Sequence, residues 1–198
     1  SINSRIEALQ SFREWYYQYR ASPARVEPFF YKAFEHYVAT QPEHLAIIDN
    51  DYSLTYEVLN EKANQLAHAL VAIKQKHGWL NGHCIGLFFE NSSVAVISLL
   101  AVMKAGLSYL PLTVDSKLRI TRLAEYVKQA QVDFLLVQDE LLNHDFLHYL
   151  RHQQPNLPIQ STIQLSQKVS APYLSTNPEI QIDANQQAYI IFSSGSTG

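Results

Sequence analysis

The sequence predicts an α/β fold, with a doubly wound, mostly parallel sheet flanked by helices. Short apolar runs rich in β-branched and aromatic residues recur along the 198 residues, and segments of helical period separate most of them. Strands that alternate with helices at this spacing pack as a parallel sheet with crossover helices. Hydrophobic residues make up 47% of the chain and charged residues 17%, which indicates a folded globular protein rather than disorder.

Apolar periodicity and turn residues place the elements in order. Helices are predicted at residues 2–19, 28–37, 56–77, 92–104, 118–130 and 139–151, and strands at residues 45–48, 52–54, 82–89, 109–112, 134–137, 159–165 and 189–192. Thr55 suits a helix N-cap, and Gly78 and Gly106 suit helix ends. The buried sides of the second and third helices are expected to include Tyr37 and Val58.

The most informative segment closes the sequence, where the apolar run at residues 189–192 leads into six small residues. These are the candidate binding residues Ser193, Ser194, Gly195, Ser196, Thr197 and Gly198. Without bulky side chains, backbone N–H groups can crowd around an anion, while hydroxyls donate to phosphate oxygens. A loop at the end of a strand in an α/β sheet lies where nucleotides commonly bind. A flexible linker has the same composition, and the strand before the loop favours the phosphate site.

This loop differs from the common P-loop, which has the pattern G-x-x-x-x-G-K-[ST]. Gly195 and Gly198 lie too close together for that pattern, and no lysine follows them. Residues 192–198, Phe-Ser-Ser-Gly-Ser-Thr-Gly, instead resemble the phosphate-binding motif of adenylate-forming enzymes, Y-T-S-G-[ST]-T-G-x-P-K-G. Phenylalanine replaces the tyrosine and serine the first threonine, and both changes keep the chemistry.

Two further strings extend the resemblance. Residues 54–59, Leu-Thr-Tyr-Glu-Val-Leu, resemble the first core motif of that family, L-[TS]-Y-x-E-L, with Val58 in place of the second Glu. Residues 104–112, Lys-Ala-Gly-Leu-Ser-Tyr-Leu-Pro-Leu, resemble the second, L-K-A-G-x-A-Y-[LV]-P-[LI]-D, and Thr113 follows in place of Asp. With three motifs in family order, the chain resembles an amino-acid-activating adenylation domain of a nonribosomal peptide synthetase. The resemblance implies an N-terminal helix or linker at residues 1–22 and the N-terminal part of an AMP-binding adenylation domain at residues 23–198.

The resemblance also implies an activity. Such enzymes use ATP with Mg²⁺ to convert a carboxylic acid, here an amino acid, into an acyl-adenylate and pyrophosphate. They then pass the acyl group to the phosphopantetheine thiol of a peptidyl carrier protein, and a condensation domain can precede them. The loop Ser193–Gly198 would hold the β- and γ-phosphates as negative charge shifts onto pyrophosphate.

The family's remaining functional parts lie downstream of position 198: the loop lysine, the adenine and magnesium motifs, the acid-selecting pocket and a mobile lid with a catalytic lysine. No catalytic residue or metal ligand is therefore expected within residues 1–198, and this stretch alone is expected to be inactive. An acyl-CoA or aryl-CoA ligase is an alternative, because it shares the first half-reaction. A non-catalytic scaffold that contacts partners through the aromatic N-terminal helix is another, given the weakened motifs around Glu57, Thr113 and Ser116.

Composition argues against several other classes of protein. With a net charge of −3 and no clustered basic residues, the chain has no positive electrostatic field that would attract nucleic acid. The longest apolar stretch, residues 94–103, is about half a membrane span and contains a serine. The first residues show no signal-peptide pattern, so a cytoplasmic location is expected.

Two sets of reactive side chains are interpreted as structural. His144, His148 and His152 recur every four residues on a predicted helix and form a possible metal pair, but His152 lies at the frayed end of that helix, so a solvated face is favoured over a zinc site. Cys84 is the only cysteine and lies in an apolar strand, which predicts an inert buried thiol.

Overall fold

A computed structural model describes residues 30–48, 53–79, 83–90, 92–114, 119–167 and 176–178. The predicted helix at residues 2–19 and the predicted strand at residues 189–192 lie outside these ranges. The described helices are α1 (Phe30–Thr40), α2 (Tyr56–Lys76), α3 (Ser93–Lys104), α4 (Ile120–Gln129), α5 (Asp145–Gln153) and α6 (Thr162–Ser166). The strands are β1 (Leu45–Ile48), β2 (Ser53–Thr55), β3 (Cys84–Phe89), β4 (Ser108–Thr113), β5 (Val132–Val137) and β6 (Ile159–Ser161), and a 3₁₀ turn spans Asp139–Leu141.

Four strands form a parallel sheet in the order β4-β3-β5-β6. The chain leaves β3 for β4 on one side and then returns to place β5 on the other side of β3. β1 and β2 form a separate antiparallel pair. The parallel, doubly wound α/β fold predicted from the sequence is therefore confirmed.

Helices cover both faces of the parallel sheet, which explains why β3 is continuously apolar and why β4 and β5 are largely so. Residues of α2, α3 and α6 form one core with alternate strand residues such as Ile85, Leu87 and Leu136. Residues of α4 and α5 form a second core with Phe88 and Leu135, which point to the opposite face. All six residues of β3 are buried, as expected for a central strand with helices on each side.

The predicted helix boundaries follow local chemistry. The Thr55 hydroxyl accepts a hydrogen bond from the Val58 N–H at 3.2 Å and so caps α2. Gly78 and Gly106 follow α2 and α3 with φ of 63° and 69°, a region that favours glycine. The caps predicted at these positions are confirmed.

The structure corrects two predicted elements. The single helix predicted at residues 139–151 is interrupted: a 3₁₀ turn comes first, and His144 then caps α5 by accepting the Phe146 N–H on its Nδ1 at 3.1 Å. The strand predicted at residues 159–165 stops at Ser161, because Ser161 and Gln164 form a reciprocal capping box that starts α6.

The burial predicted for two residues is also wrong. Tyr37 is 48% exposed and Val58 is 36% exposed. Tyr37 stacks on Tyr56 with ring centroids 5.9 Å apart, so this aromatic contact replaces burial in the core.

No helix in the described ranges is both long and apolar enough to cross a membrane.

Candidate functional site

The carboxyl edge of the parallel sheet is the first part of the candidate site. β3 continues into Glu90 and then α3 on one face, whereas β5 continues into Gln138 and then α5 on the other. Connections that leave adjacent strands towards opposite faces open a crevice between them. The β3–β5 junction is therefore the switch point of the described sheet and the candidate position for a ligand.

Gln138 ties the two sides of this crevice together. Its backbone N–H donates to the Phe88 carbonyl at 3.1 Å, and its side-chain Oε1 accepts the Glu90 N–H at 3.0 Å. The Gln138 residue itself is buried. These bonds fix the direction in which the chain leaves β3 and β5.

Further polar groups line the same edge. The Asp139 carboxylate accepts the Ile163 N–H at 3.2 Å and the Thr162 hydroxyl at 3.4 Å, which ties the end of β5 to the start of α6. Ser92 precedes α3, and among the described residues its buried hydroxyl has no hydrogen-bond partner. The edge thus presents amide, hydroxyl and carboxylate groups around a fixed backbone.

A buried ion pair lies at the other end of α3. Lys104 is the last residue of this helix, and its Nζ is 2.8 Å from Glu35 Oε1 on α1. The Lys104 side chain is fully buried and that of Glu35 is 13% exposed. The Phe34 ring centroid lies 5.8 Å from the ammonium, so the charge has an aromatic as well as an ionic neighbour.

The same ammonium holds a segment from far along the chain. Lys104 Nζ donates to Asn177 Oδ1 at 3.0 Å, and Asn60 Nδ2 of α2 donates to the same oxygen at 3.4 Å. His68 Nε2 lies 2.7 Å from the Thr176 carbonyl oxygen, and Pro178 is buried. Thr176 and Asn177 are therefore both anchored on the α2–α3 pair.

The predicted binding residues Ser193, Ser194, Gly195, Ser196, Thr197 and Gly198 lie outside the described residues. Their role stays a prediction. The described segment that comes nearest to them along the chain is 176–178.

The three histidines do not share a helix face, because His144 lies before α5 as its cap. Its ring also packs edge-on against Phe88, with centroids 5.2 Å apart. No group of three or more His, Cys, Asp or Glu side chains that could hold a metal occurs in the described ranges.

Cys84 is buried at the start of β3, as predicted. Burial raises the pKa of its thiol to about 12, and the nearby Asp133 carboxylate contributes to the increase. A thiol with so high a pKa is a poor nucleophile at neutral pH. The predicted inert role is consistent with this environment.

Sequence reasoning missed Gln138 and the partners of Lys104. Gln138 follows an apolar strand at the carboxyl edge of a parallel sheet, and that position could have signalled it. Lys104 ends an apolar helix just before a buried strand, so its burial could have been anticipated. Its partners Glu35 and Asn177 could not have been anticipated, because they lie 69 and 73 residues away in sequence.

Comparisons with known proteins agree with the fold. Residues 34–198 match the family described as AMP-binding enzyme. A linear gramicidin synthase of Brevibacillus parabrevis is 36% identical over 170 residues, which is 85% of this chain and 2% of that synthase. This chain therefore spans only a small part of that relative.

Two solved structures share the fold at low sequence identity. The nonribosomal peptide synthetase FmoA3, in a form bound to α-methyl-L-serine-AMP, gives a TM-score of 0.65 at 19% identity, over 83% of this chain and 17% of that one. The anthranilate CoA ligase AuaEII, in complex with anthranoyl-AMP, gives a TM-score of 0.71 at 19% identity, over 90% of this chain and 33% of that one.

Proposed function

Since the chain belongs to the AMP-binding enzyme family, we propose that it is the N-terminal part of a domain that activates an amino acid as its acyl-adenylate. The observation that carries this proposal is the family match over residues 34–198, a range that includes the predicted phosphate loop. The 36% identity to a linear gramicidin synthase supports an amino acid over other carboxylic acids. Residues 1–22 would precede this domain as a helix or linker, and residues 23–198 would form its N-terminal part.

In the proposed reaction, the carboxylate of the amino acid attacks the α-phosphorus of ATP. The bond to the bridging oxygen breaks, and pyrophosphate leaves. Ser193, Ser194, Gly195, Ser196, Thr197 and Gly198 would donate N–H and O–H hydrogen bonds to the β- and γ-phosphates. Fixed donors of this kind stabilise the leaving group most as its charge develops, and so act on the transition state.

The described carboxyl edge would support such a loop. A strand at residues 189–192 parallel to β3 and β5 would deliver residues 193–198 to the carboxyl edge of the sheet, the same edge at which Gln138 and Glu90 fix the connections that follow β5 and β3. Mg²⁺ would supply further charge neutralisation of the phosphates. The described residues present no cluster suited to a metal, so no residue of this part is assigned to Mg²⁺.

A second half-reaction completes the proposal. The acyl group would pass to the phosphopantetheine thiol of a peptidyl carrier protein, with AMP as the leaving group, and a condensation domain could precede this one. A cytoplasmic location, where ATP is abundant, belongs to the same proposal. Residues 1–198 alone would not catalyse adenylation, because the family's catalytic lysine and acid pocket lie downstream.

Amino-acid-dependent exchange of labelled pyrophosphate into ATP tests the first half-reaction in the full-length protein. We expect exchange with one or a few amino acids and none with fatty or aryl acids. Ser196→Ala should lower kcat/KM for ATP by about 10- to 100-fold, because one donor to the phosphates is lost. Ser53→Ala, which changes an exposed serine of β2, is the matched control and should leave exchange unchanged.

The outcomes separate the alternatives. Exchange only with fatty or aryl acids, followed by transfer to coenzyme A, would identify an acyl-CoA ligase instead. Absence of both exchange and ATP binding would contradict the proposal and favour a scaffold. Exchange by a protein of residues 1–198 alone would refute the claim that this part is inactive.

A further inference from the structure

We propose that an exposed aromatic patch, formed by Tyr37, Leu45 and Tyr56, is the docking surface for residues 2–19 of the same chain. The segment that precedes α1 would then pack, as a helix, on the fold that follows it. Such docking is a role that the adenylation activity proposed above does not include.

The patch is where most of the exposed large apolar side chains of the described residues meet. These side chains belong to Tyr37, Leu45, Val58 and Ile163. The first three lie at the end of α1, the start of β1 and the first turn of α2. Backbone bonds join these places, because the Pro42 carbonyl accepts the Glu57 N–H at 3.0 Å and the His44 carbonyl accepts the Tyr56 N–H at 2.9 Å. A group of exposed apolar side chains marks an interaction surface, whereas single ones do not.

An aromatic column leads from the core to this patch. The buried Phe34 ring lies 6.0 Å from the Tyr56 ring, between centroids, and Tyr37 stacks on Tyr56 at 5.9 Å with an interplanar angle of 21°. Tyr37, the outermost ring, is 48% exposed. The column therefore ends in a ring that a further aromatic side chain can cover.

The segment at residues 2–19 carries side chains suited to that position. On the predicted helix, Leu9, Phe12 and Tyr16 share one side, and Trp15 and Tyr19 lie beside them four positions apart. An amphipathic helix is stable only when its apolar side packs on another surface. Its aromatic rings match the open end of the column.

The charge around the patch is negative. Glu43 and Glu57 are exposed, and the Pro42–Glu57 backbone bond brings the two residues to the same place. Residues 34–58 contain no lysine or arginine. The patch is therefore an apolar surface bordered by carboxylates.

The apolar side of the predicted helix carries the opposite charge. Arg5 and Arg13 lie four positions before and after Leu9, and so share its side of the helix. Glu7 and Glu14 fall on the other side, at about 100° of rotation per residue. The side with Leu9 is thus apolar and positive, which complements the patch in both respects.

The connection between the two is long enough. From Tyr19 to Phe30 an extended chain spans at most about 40 Å, whereas α1 rises only about 10 Å from Phe30 to Tyr37. A short connection also holds two surfaces at an effective concentration of about a millimolar. This favours residues 2–19 as the occupant over a second copy of the chain or another protein.

Amide hydrogen exchange in the full-length protein tests the docking. Tyr37→Glu combined with Leu45→Glu places two carboxylates in the patch, and we expect exchange at residues 2–19 to become at least about tenfold faster. Ile163→Glu is the matched control, because Ile163 is 51% exposed but lies on α6, outside the patch. Exchange at residues 2–19 in this control should equal that of the wild type.

Photo-crosslinking identifies the occupant directly. We expect p-benzoylphenylalanine in place of Tyr37 to crosslink to residues 2–19 of the same chain, as mapped by mass spectrometry. The same group in place of Ile163 should not. Irradiation of a mixture of isotope-labelled and unlabelled protein distinguishes contacts within one chain from contacts between copies.

Three results would each overturn the proposal. These are wild-type exchange at residues 2–19 in the patch variant, crosslinks from position 37 that join labelled to unlabelled chains, and crosslinks from position 37 only to other segments or other proteins. Neither readout uses pyrophosphate exchange. The docking and the adenylation activity can therefore fail separately.

Discussion

Replacing Lys104 while Glu35 stays in place should destabilise the fold strongly. At the observed separation of 2.8 Å, the attraction between the two charges is about 6 kcal/mol in an effective dielectric constant of about 20. Removing two ions from water costs several kcal/mol for each, so the net contribution of the intact pair is small. Lys104→Met, however, abolishes the attraction and leaves a carboxylate that is only 13% exposed. We expect a loss of about 3–5 kcal/mol in the free energy of unfolding.

The double variant separates this cost from the contribution of the pair. Lys104→Met combined with Glu35→Leu removes both desolvated ions and should unfold within about 1 kcal/mol of the wild type, or be more stable. The exposed pair Arg122 and Glu125 has the same 2.8 Å separation, so removing it should change the stability by no more than about 1 kcal/mol. Because the two ion pairs have the same N–O distance but differ in burial, the difference between their effects on stability measures the effect of desolvation.

Equilibrium urea unfolding at pH 7, followed by circular dichroism, provides the free energies by linear extrapolation. The reasoning is refuted if Lys104→Met costs less than about 1 kcal/mol, because the remaining carboxylate would then be adequately hydrated. It is also refuted if the double variant is as unstable as Lys104→Met, since packing of the lysine stem rather than charge would then dominate.

Three further predictions follow from local geometry. Thr55→Ala should lower the free energy of unfolding by about 1 kcal/mol in urea, because it removes the cap of α2; an unchanged midpoint would contradict this. Gly86→Ala should cost about 1–3 kcal/mol, since the added Cβ would lie 2.6 Å from Leu135 Cδ1, and Leu135→Ala in the same chain should recover part of the loss. Because the pKa of Cys84 is raised to about 12 in the folded state, its contribution to stability is complete below pH 9 and is lost as the pH rises towards 12. Cys84→Ala should therefore show a shallower alkaline loss of stability, and native Cys84 should resist alkylation at pH 8.

The regular part of the fold could be predicted because its signals are local. A strand with helices on both sides must be apolar along its whole length, and residues 84–89 show that pattern directly. Thr55, Gly78 and Gly106 act through bonds to residues a few positions away, so the sequence displays the complete motif.

The errors at residues 139–151 and 159–165 arose where a side chain competes with the backbone. Apolar periodicity continues from residue 139 to 151, but the His144 ring accepts a backbone N–H and starts a new helix. Ser161 ends β6 in the same way. Periodicity reports which face is buried and carries no information about such bonds.

The candidate site also contains one part that the sequence predicts and one part that it does not. The phosphate loop at residues 193–198 could be proposed because six contiguous residues form its motif. The contacts of Lys104 could not, because Glu35, Asn60 and Asn177 are far apart in sequence and meet only in the folded chain.

The strand order has a consequence for how the protein is made. β3 is central, yet both of its neighbours are synthesised after it, and its second edge is covered only when residue 137 has emerged. Until then, six entirely apolar residues, Cys84–Phe89, present an unpaired edge of backbone N–H and carbonyl groups. At roughly 5–20 residues per second, the 48 residues from Phe89 to Val137 take about 2 to 10 seconds to synthesise. During that interval the nascent chain is most exposed to pairing with other chains, and a chaperone that binds extended apolar segments would protect it most.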